Sequence, residues 1–103
     1  MIIYLTSLWQ FSVPSYYHVV RKLSAVLDTE NDFSCVISDA GSSWYIVGQF
    51  LQTFSSVQLV TSASLGGMGY ALPALIGVTI SANKPAIAVT GDGSLHMCSQ
   101  ELS

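Results

Sequence analysis

The sequence predicts an α/β fold, a parallel sheet with helices on both faces, of which this chain holds an incomplete share. Three observations predict it. Short apolar runs at Phe33–Ser38, Val57–Thr61 and Ala86–Thr90 alternate with segments of helical character, the pattern of βαβ units. Each run ends in a loop of small residues: Asp39–Ser43, Ser62–Gly67 and Gly91–Ser94. Half of the 103 residues are hydrophobic and only 9% are charged, against roughly 25% in ordinary soluble domains. Either much of the surface is covered by other protein or part of the chain lies in a membrane, and the former is expected.

In chain order, Met1–Val13 shows no clear period and Pro14 closes it, so residues 1–14 read as a connecting segment and 15–103 as a partial domain. From Ser15 the period turns helical. Tyr16, Val19, Val20, Leu23, Val26 and Leu27 form one apolar stripe at three- and four-residue spacing. Thr29–Asp32 is a polar loop, Phe33–Ser38 a buried strand, and Asp39–Ser43 a turn with helix-capping chemistry. A helix is expected over Trp44–Phe54, a strand over Val57–Thr61 and a further helix over Met68–Ala82. Asn83-Lys84-Pro85 turns the chain into the strand Ala86–Thr90, and Ser94–Leu102 reads as the start of a helix with Ser94 near its N-cap.

No charge occurs from Ala40 to Asn83, which raises the question of a membrane span. The best window, Gly66–Ala82, holds four glycines and Pro73 and falls short of the roughly 20 apolar residues a span needs, so no span is expected. The apolar N-terminus lacks a basic residue ahead of it, and Arg21 and Lys22 follow it instead, unlike a secretory signal. Cys35 and Cys98 form no C-x-x-C pair and read as two reduced thiols of a cytoplasmic protein. Three basic residues and a net charge of −3 argue against nucleic acid, which demands a positive footprint.

The chemistry concentrates in Gly91-Asp92-Gly93-Ser94. Asp92 offers a hard oxygen ligand of the kind Mg²⁺ takes. The flanking glycines let the backbone approach a bulky anion, and the helix that follows turns free N–H groups toward it. In open parallel sheets ligands sit at the carboxyl ends of the strands, so the three loops are expected to converge on one edge.

These residues resemble the thiamine-diphosphate-dependent enzymes, and most closely their acetolactate-synthase-like group. Gly91-Asp92-Gly93-Ser94 is similar to the opening of that family's Gly-Asp-Gly motif. Ser64-Leu65-Gly66-Gly67-Met68-Gly69-Tyr70-Ala71-Leu72-Pro73-Ala74-Leu75-Ile76-Gly77 is similar to the loop and helix preceding it, and Asp39-Ala40-Gly41-Ser42-Ser43-Trp44 to the first cofactor loop. The resemblance implies thiamine diphosphate and Mg²⁺ as cofactors. Asp92 would bind the metal, and Gly91, Gly93 and Ser94 would meet the diphosphate, with Asp39, Gly41, Ser42 and Ser43 lining its other side. The Gly67 carbonyl would accept from the aminopyrimidine, and Met68 would wedge beneath the bent cofactor. The implied substrates are 2-keto acids, decarboxylated or ligated.

The departures matter as well. The family motif closes on a pair of asparagines beyond the ten residues that follow Gly93 here. A separate pyrimidine-binding domain or second subunit would supply an activating glutamate, and the intact enzyme would be a homo-oligomer. Ser42-Ser43 stands where acetolactate synthases often have Gln-His, and Ala63-Ser64 where they often have Gly-Gly. The chain is thus expected to be the first half of one domain, with little turnover alone. Two other readings stay open. A dinucleotide-binding unit would show Gly-x-Gly-x-x-Gly, but His96 stands at the third glycine. A non-catalytic fragment or interaction module would retain no metal-dependent cofactor binding.

Overall fold

The computed structural model describes residues 2–4 (as backbone), 15–30, 32–52 and 57–103. Among these residues four strands form one all-parallel sheet: β1 Ile2–Tyr4, β2 Cys35–Ser38, β3 Gln58–Thr61 and β4 Ile87–Thr90. Their order across the sheet is β1-β4-β2-β3. The helices are α1 Tyr16–Thr29, α2 Ser42–Phe50, α3 Ala71–Ala82 and α4 Asp92–Met97, with a 3₁₀ turn at Ser99–Leu102.

Every residue of β2 and β4 is buried, which is why both read as continuous apolar runs instead of alternating ones. Their side chains divide between two cores. Val36, Ile87 and Val89 meet Val20, Leu23 and Leu27 of α1 and Val47 of α2 on one face. Cys35, Ile37, Ala86 and Ala88 meet Ala71, Leu72 and Leu75 of α3 and Leu95 of α4 on the other. Each fully buried aliphatic side chain contributes roughly 1.5–3 kcal/mol, so these two layers dominate the stability of the fold. The small Ala86 and Ala88 leave room for the close approach of α3. Strand β3 lies at the edge, with Gln58 and Leu59 exposed.

The helices-on-both-faces architecture agrees with the sequence reading, and several boundaries differ. Ile2–Tyr4, inside the stretch read as a connection, pairs in parallel with Ala88–Thr90 of β4; residues 5–14 lie outside the described residues. Three residues without period carry no signal of a strand. On α1 the stripe is narrower than expected. Val20, Leu23 and Leu27 are buried, but Val26 is 40% exposed and Ser24 takes its place in the buried face. The Ser24 hydroxyl donates to the Val20 carbonyl and accepts from the Gln52 N–H, both at 3.0 Å, tying α1 to the end of α2. Helix α2 starts two residues before Trp44 and ends at Phe50, and residues 53–54 of the expected helix lie outside the described residues. Helix α3 begins at Ala71, three residues after Met68, because Gly69 holds a left-handed φ of 81° that no helix accommodates. Pro73 falls in its first turn, where its missing N–H is harmless. Asn83 closes α3 at φ 49°, a left-handed stop that asparagine tolerates.

The topology places a ligand crevice. After β2 the chain returns through α2 on one face to β3. After β4 it leaves through α4 toward the other face. The loops after β2 and β4 diverge, and this switch point at the strands' carboxyl ends is where open α/β sheets hold ligands.

Candidate functional site

A cleft of about 200 Å³ opens at that switch point. Ala40, Gly41, Ser42 and Ser43 line it from the β2 side and Thr90, Gly91, Asp92, Gly93 and Ser94 from the β4 side, with Met68 and Tyr16 completing the wall. A larger cleft of about 540 Å³ lies between α1 and α2, lined by Tyr17, Arg21, Asp28 and Gln49 among others. None of its lining residues belongs to the loops at the strands' carboxyl ends. Most of the site residues expected from the sequence line the smaller cleft.

Both helices that begin at the cleft begin on glycine. Gly41 precedes α2 and Gly91 precedes α4, and neither helix has a side-chain N-cap. Gly41 adopts φ 86°, ψ −148°, a region essentially reserved for glycine. The Trp44 N–H donates to the Gly41 carbonyl at 3.1 Å. The N–H groups of Ser42 and Ser43, in the first turn, have no intrahelical acceptor.

The two serines contribute differently. Ser42 is exposed. Ser43 is buried, and its hydroxyl turns back to donate to the carbonyls of Asp39 (3.0 Å) and Ala40 (3.1 Å). The Ser43 hydroxyl is thus engaged within its own loop. Ser94 is the third residue of α4, not its cap, because the helix starts at Asp92. It is buried at the cleft wall, and its hydroxyl has no hydrogen-bond partner among the described residues. Asp92 is exposed at the lip. No group of three or more metal-ligating His, Cys, Asp or Glu side chains occurs among the described residues, so Asp92 is a single carboxylate beside the two uncapped helix starts.

Met68 is 52% exposed, and its tip lies over the Gly-Asp-Gly turn. A Cβ built on Gly93 would stand 3.1 Å from Met68 Cε. Gly67, next to it, is exposed and does not line the cleft. Asp39 does not line it either. Its side chain is 1% exposed and points into the loops behind the wall.

Tyr16 and Thr90 also line the cleft, although the sequence pattern places one on the apolar stripe of α1 and the other at the end of a strand. A tyrosine on the apolar stripe of a helix looks the same whether the end of the stripe meets core or crevice. Thr90 is buried, and its hydroxyl lies 3.2 Å from Asp39 Oδ2.

Both cysteines are free and buried. Burial pushes the Cys98 thiol above its ordinary pKa, with the negative charges of Asp39 and Glu101 adding to it. Burial also raises Cys35, opposed in part by a hydrogen bond with the Ser34 side chain. The Cys98 thiol donates to the Ser94 carbonyl at 3.4 Å. Neither thiol lines the cleft. No helix among the described residues is long and apolar enough to cross a membrane.

Comparison with known proteins bears on the same residues. The family described as "Thiamine pyrophosphate enzyme, C-terminal TPP binding domain" matches residues 39–103. The chain is 36% identical over 76 residues to the acetolactate synthase large subunit of Lactococcus lactis subsp. lactis (strain IL1403), covering 73% of this chain and 13% of that protein. It is 39% identical over 71 residues to the corresponding subunit of Buchnera aphidicola subsp. Schizaphis graminum (strain Sg), covering 68% and 12%. It is 29% identical over 96 residues to the acetolactate synthase isozyme 2 large subunit of Escherichia coli (strain K12), covering 91% and 18%. The chain thus spans between 12% and 18% of the length of these relatives.

Proposed function

The chain belongs to the family of thiamine pyrophosphate enzymes, as part of their C-terminal TPP-binding domain, and on that premise we propose that its cleft holds the diphosphate end of thiamine diphosphate together with one Mg²⁺. The observation that carries this reading is the pair of helix starts. Gly41 and Gly91 leave α2 and α4 without side-chain caps where both helices open on one cleft. An anion there satisfies the free N–H groups and meets the positive dipole end of α2.

The donor set fits the metal as well. Mg²⁺ is commonly held by one or two carboxylates together with phosphate oxygens and water, and Asp92 supplies one carboxylate at the lip of the cleft. The exposed Ser42, the backbone of Ser43 and the Ser94 hydroxyl, which has no hydrogen-bond partner among the described residues, would be the remaining polar contacts for the diphosphate. Met68, over Gly93, forms the apolar wall. Gly67 would offer its carbonyl beyond that wall.

The size of the cleft supports a division of the cofactor between this chain and a cover. About 200 Å³ is below the roughly 300–1,000 Å³ of pockets that enclose a drug-sized ligand. We place the diphosphate end here, and assign the cover over the remainder to a pyrimidine-binding domain or a second subunit of a homo-oligomer. When bound, the cofactor supplies the electron sink for breaking or forming a bond beside the carbonyl of a 2-keto acid. The relatives are named acetolactate synthases, and the whole enzyme is proposed to be a cytoplasmic one of similar chemistry, with little turnover from these residues alone.

Equilibrium dialysis of the full chain with Mg²⁺ against thiamine diphosphate, thiamine and NAD tests the reading. It expects thiamine diphosphate to be retained about tenfold or more above thiamine, a difference of roughly 1.4 kcal/mol or more. Equal retention of thiamine, or a preference for NAD, overturns it.

A further inference from the structure

We propose that Asp39 is a positioning residue: it locks the three loops of the cleft into one arrangement and touches no ligand itself. Its Oδ1 accepts from the N–H groups of Ala40 (2.8 Å) and Gly69 (3.1 Å). Its Oδ2 accepts from the Ala71 N–H (3.0 Å) and from the Thr90 hydroxyl (3.2 Å), whose hydrogen is shared with the Gly91 carbonyl at 3.3 Å. An ionised carboxylate has about four lone-pair sites, so these four donors leave none for a metal or a ligand. The 1% exposure of the residue and its absence from the cleft wall agree.

The donors come from three places. Ala40 belongs to the loop after β2, Gly69 and Ala71 to the loop before α3 and that helix's first residue, and Thr90 to the end of β4. Gly69 directly follows Met68, and Thr90 stands two residues before Asp92. One carboxylate therefore sets where Met68 and Asp92 stand relative to each other across the cleft. The Ala71 N–H is one of the donors that α3 cannot satisfy internally, and a negative charge at that end is favourable to the helix dipole. The anchor itself is rigid, because the Asp39 N–H donates to the Val89 carbonyl of β4 at 2.9 Å. Asparagine would keep the shape but turn an amide NH₂ toward a backbone N–H, donor against donor. Glutamate would add a methylene to a closed site.

The affinity arm of the test rests on the proposed function; the exchange arm does not. Amide hydrogen exchange is followed by NMR on the full chain without ligand, for the natural sequence, Asp39→Asn and Thr90→Val. Thiamine diphosphate is then titrated in Mg²⁺ at a temperature where circular dichroism shows each variant folded. The expected result is slow exchange at Gly69 and Ala71 in the natural chain. In Asp39→Asn those two amides speed up while Ile37 and Val89 keep their protection, and affinity falls about tenfold, as for outer-shell residues elsewhere. Thr90→Val, which removes one donor of four, moves affinity in the same direction by less. Fast exchange at Gly69 and Ala71 in the natural chain overturns the proposal. So does Asp39→Asn with loosened amides and unchanged affinity, or with lost affinity and undisturbed amides, the mark of a direct ligand. If Asp39→Asn does not fold, Thr90→Val decides by the same two readouts. If the natural chain binds no thiamine diphosphate, the functional reading fails and the exchange arm alone decides the role of Asp39.

Discussion

Gly69 faces Met97 so closely that a Cβ built on Gly69 would stand 3.2 Å from Met97 Cβ. The same residue holds φ 81° and donates its N–H to Asp39. Gly69→Ala therefore meets left-handed strain and a tight contact together. It is expected to destabilise the chain by roughly 1–3 kcal/mol, read as a lowered urea midpoint with an unchanged slope. A midpoint equal to that of the natural chain would show that the loop before α3 is not held as described.

Neighbouring residues on α1 separate core from surface. Leu27 is fully buried and Val26 is 40% exposed. Leu27→Ala is expected to cost about 2–5 kcal/mol, and Val26→Ala about 0.5 kcal/mol or less. Thermal or urea unfolding checks the contrast. Similar losses at both positions would restore the broader stripe that the spacing suggests.

The thiols give stability a basic limit. Burial raises the folded pKa of both Cys35 and Cys98, so the folded state keeps these protons at pH values where the unfolded chain releases them. Their contribution is complete below the unfolded thiol value, about 8.5. It is lost as pH rises from there through the folded values. Unfolding midpoints measured from neutral pH upward are expected to hold and then fall. A Cys35→Ala, Cys98→Ala double variant is expected to show a smaller fall, and an identical one would contradict the assignment.

Much of this architecture is legible in the sequence for physical reasons. β2 and β4 are short apolar runs because both of their faces are covered, and the loops after them are rich in glycine and serine because the backbone must turn at the sheet edge. Other features depend on tertiary geometry. The direction of the Asp39 side chain is decided by where Gly69, Ala71 and Thr90 arrive, up to 51 residues away, and a turn aspartate that faces a ligand is spelled the same way. Tyr16 lies on a stripe whose end meets a crevice. Ile2–Tyr4 is too short to show a period. The start of α3 depends on one glycine dihedral.

The proposed function requires that one cleft bind thiamine diphosphate through a metal on Asp92. Calorimetric titration of the full chain with thiamine diphosphate, with and without Mg²⁺, repeated on Asp92→Ala, tests it most directly. The expected result is binding that requires Mg²⁺ and is lost in the variant. Binding of equal strength without Mg²⁺, or unchanged in Asp92→Ala, would contradict it, as would a folded natural chain that takes up no cofactor.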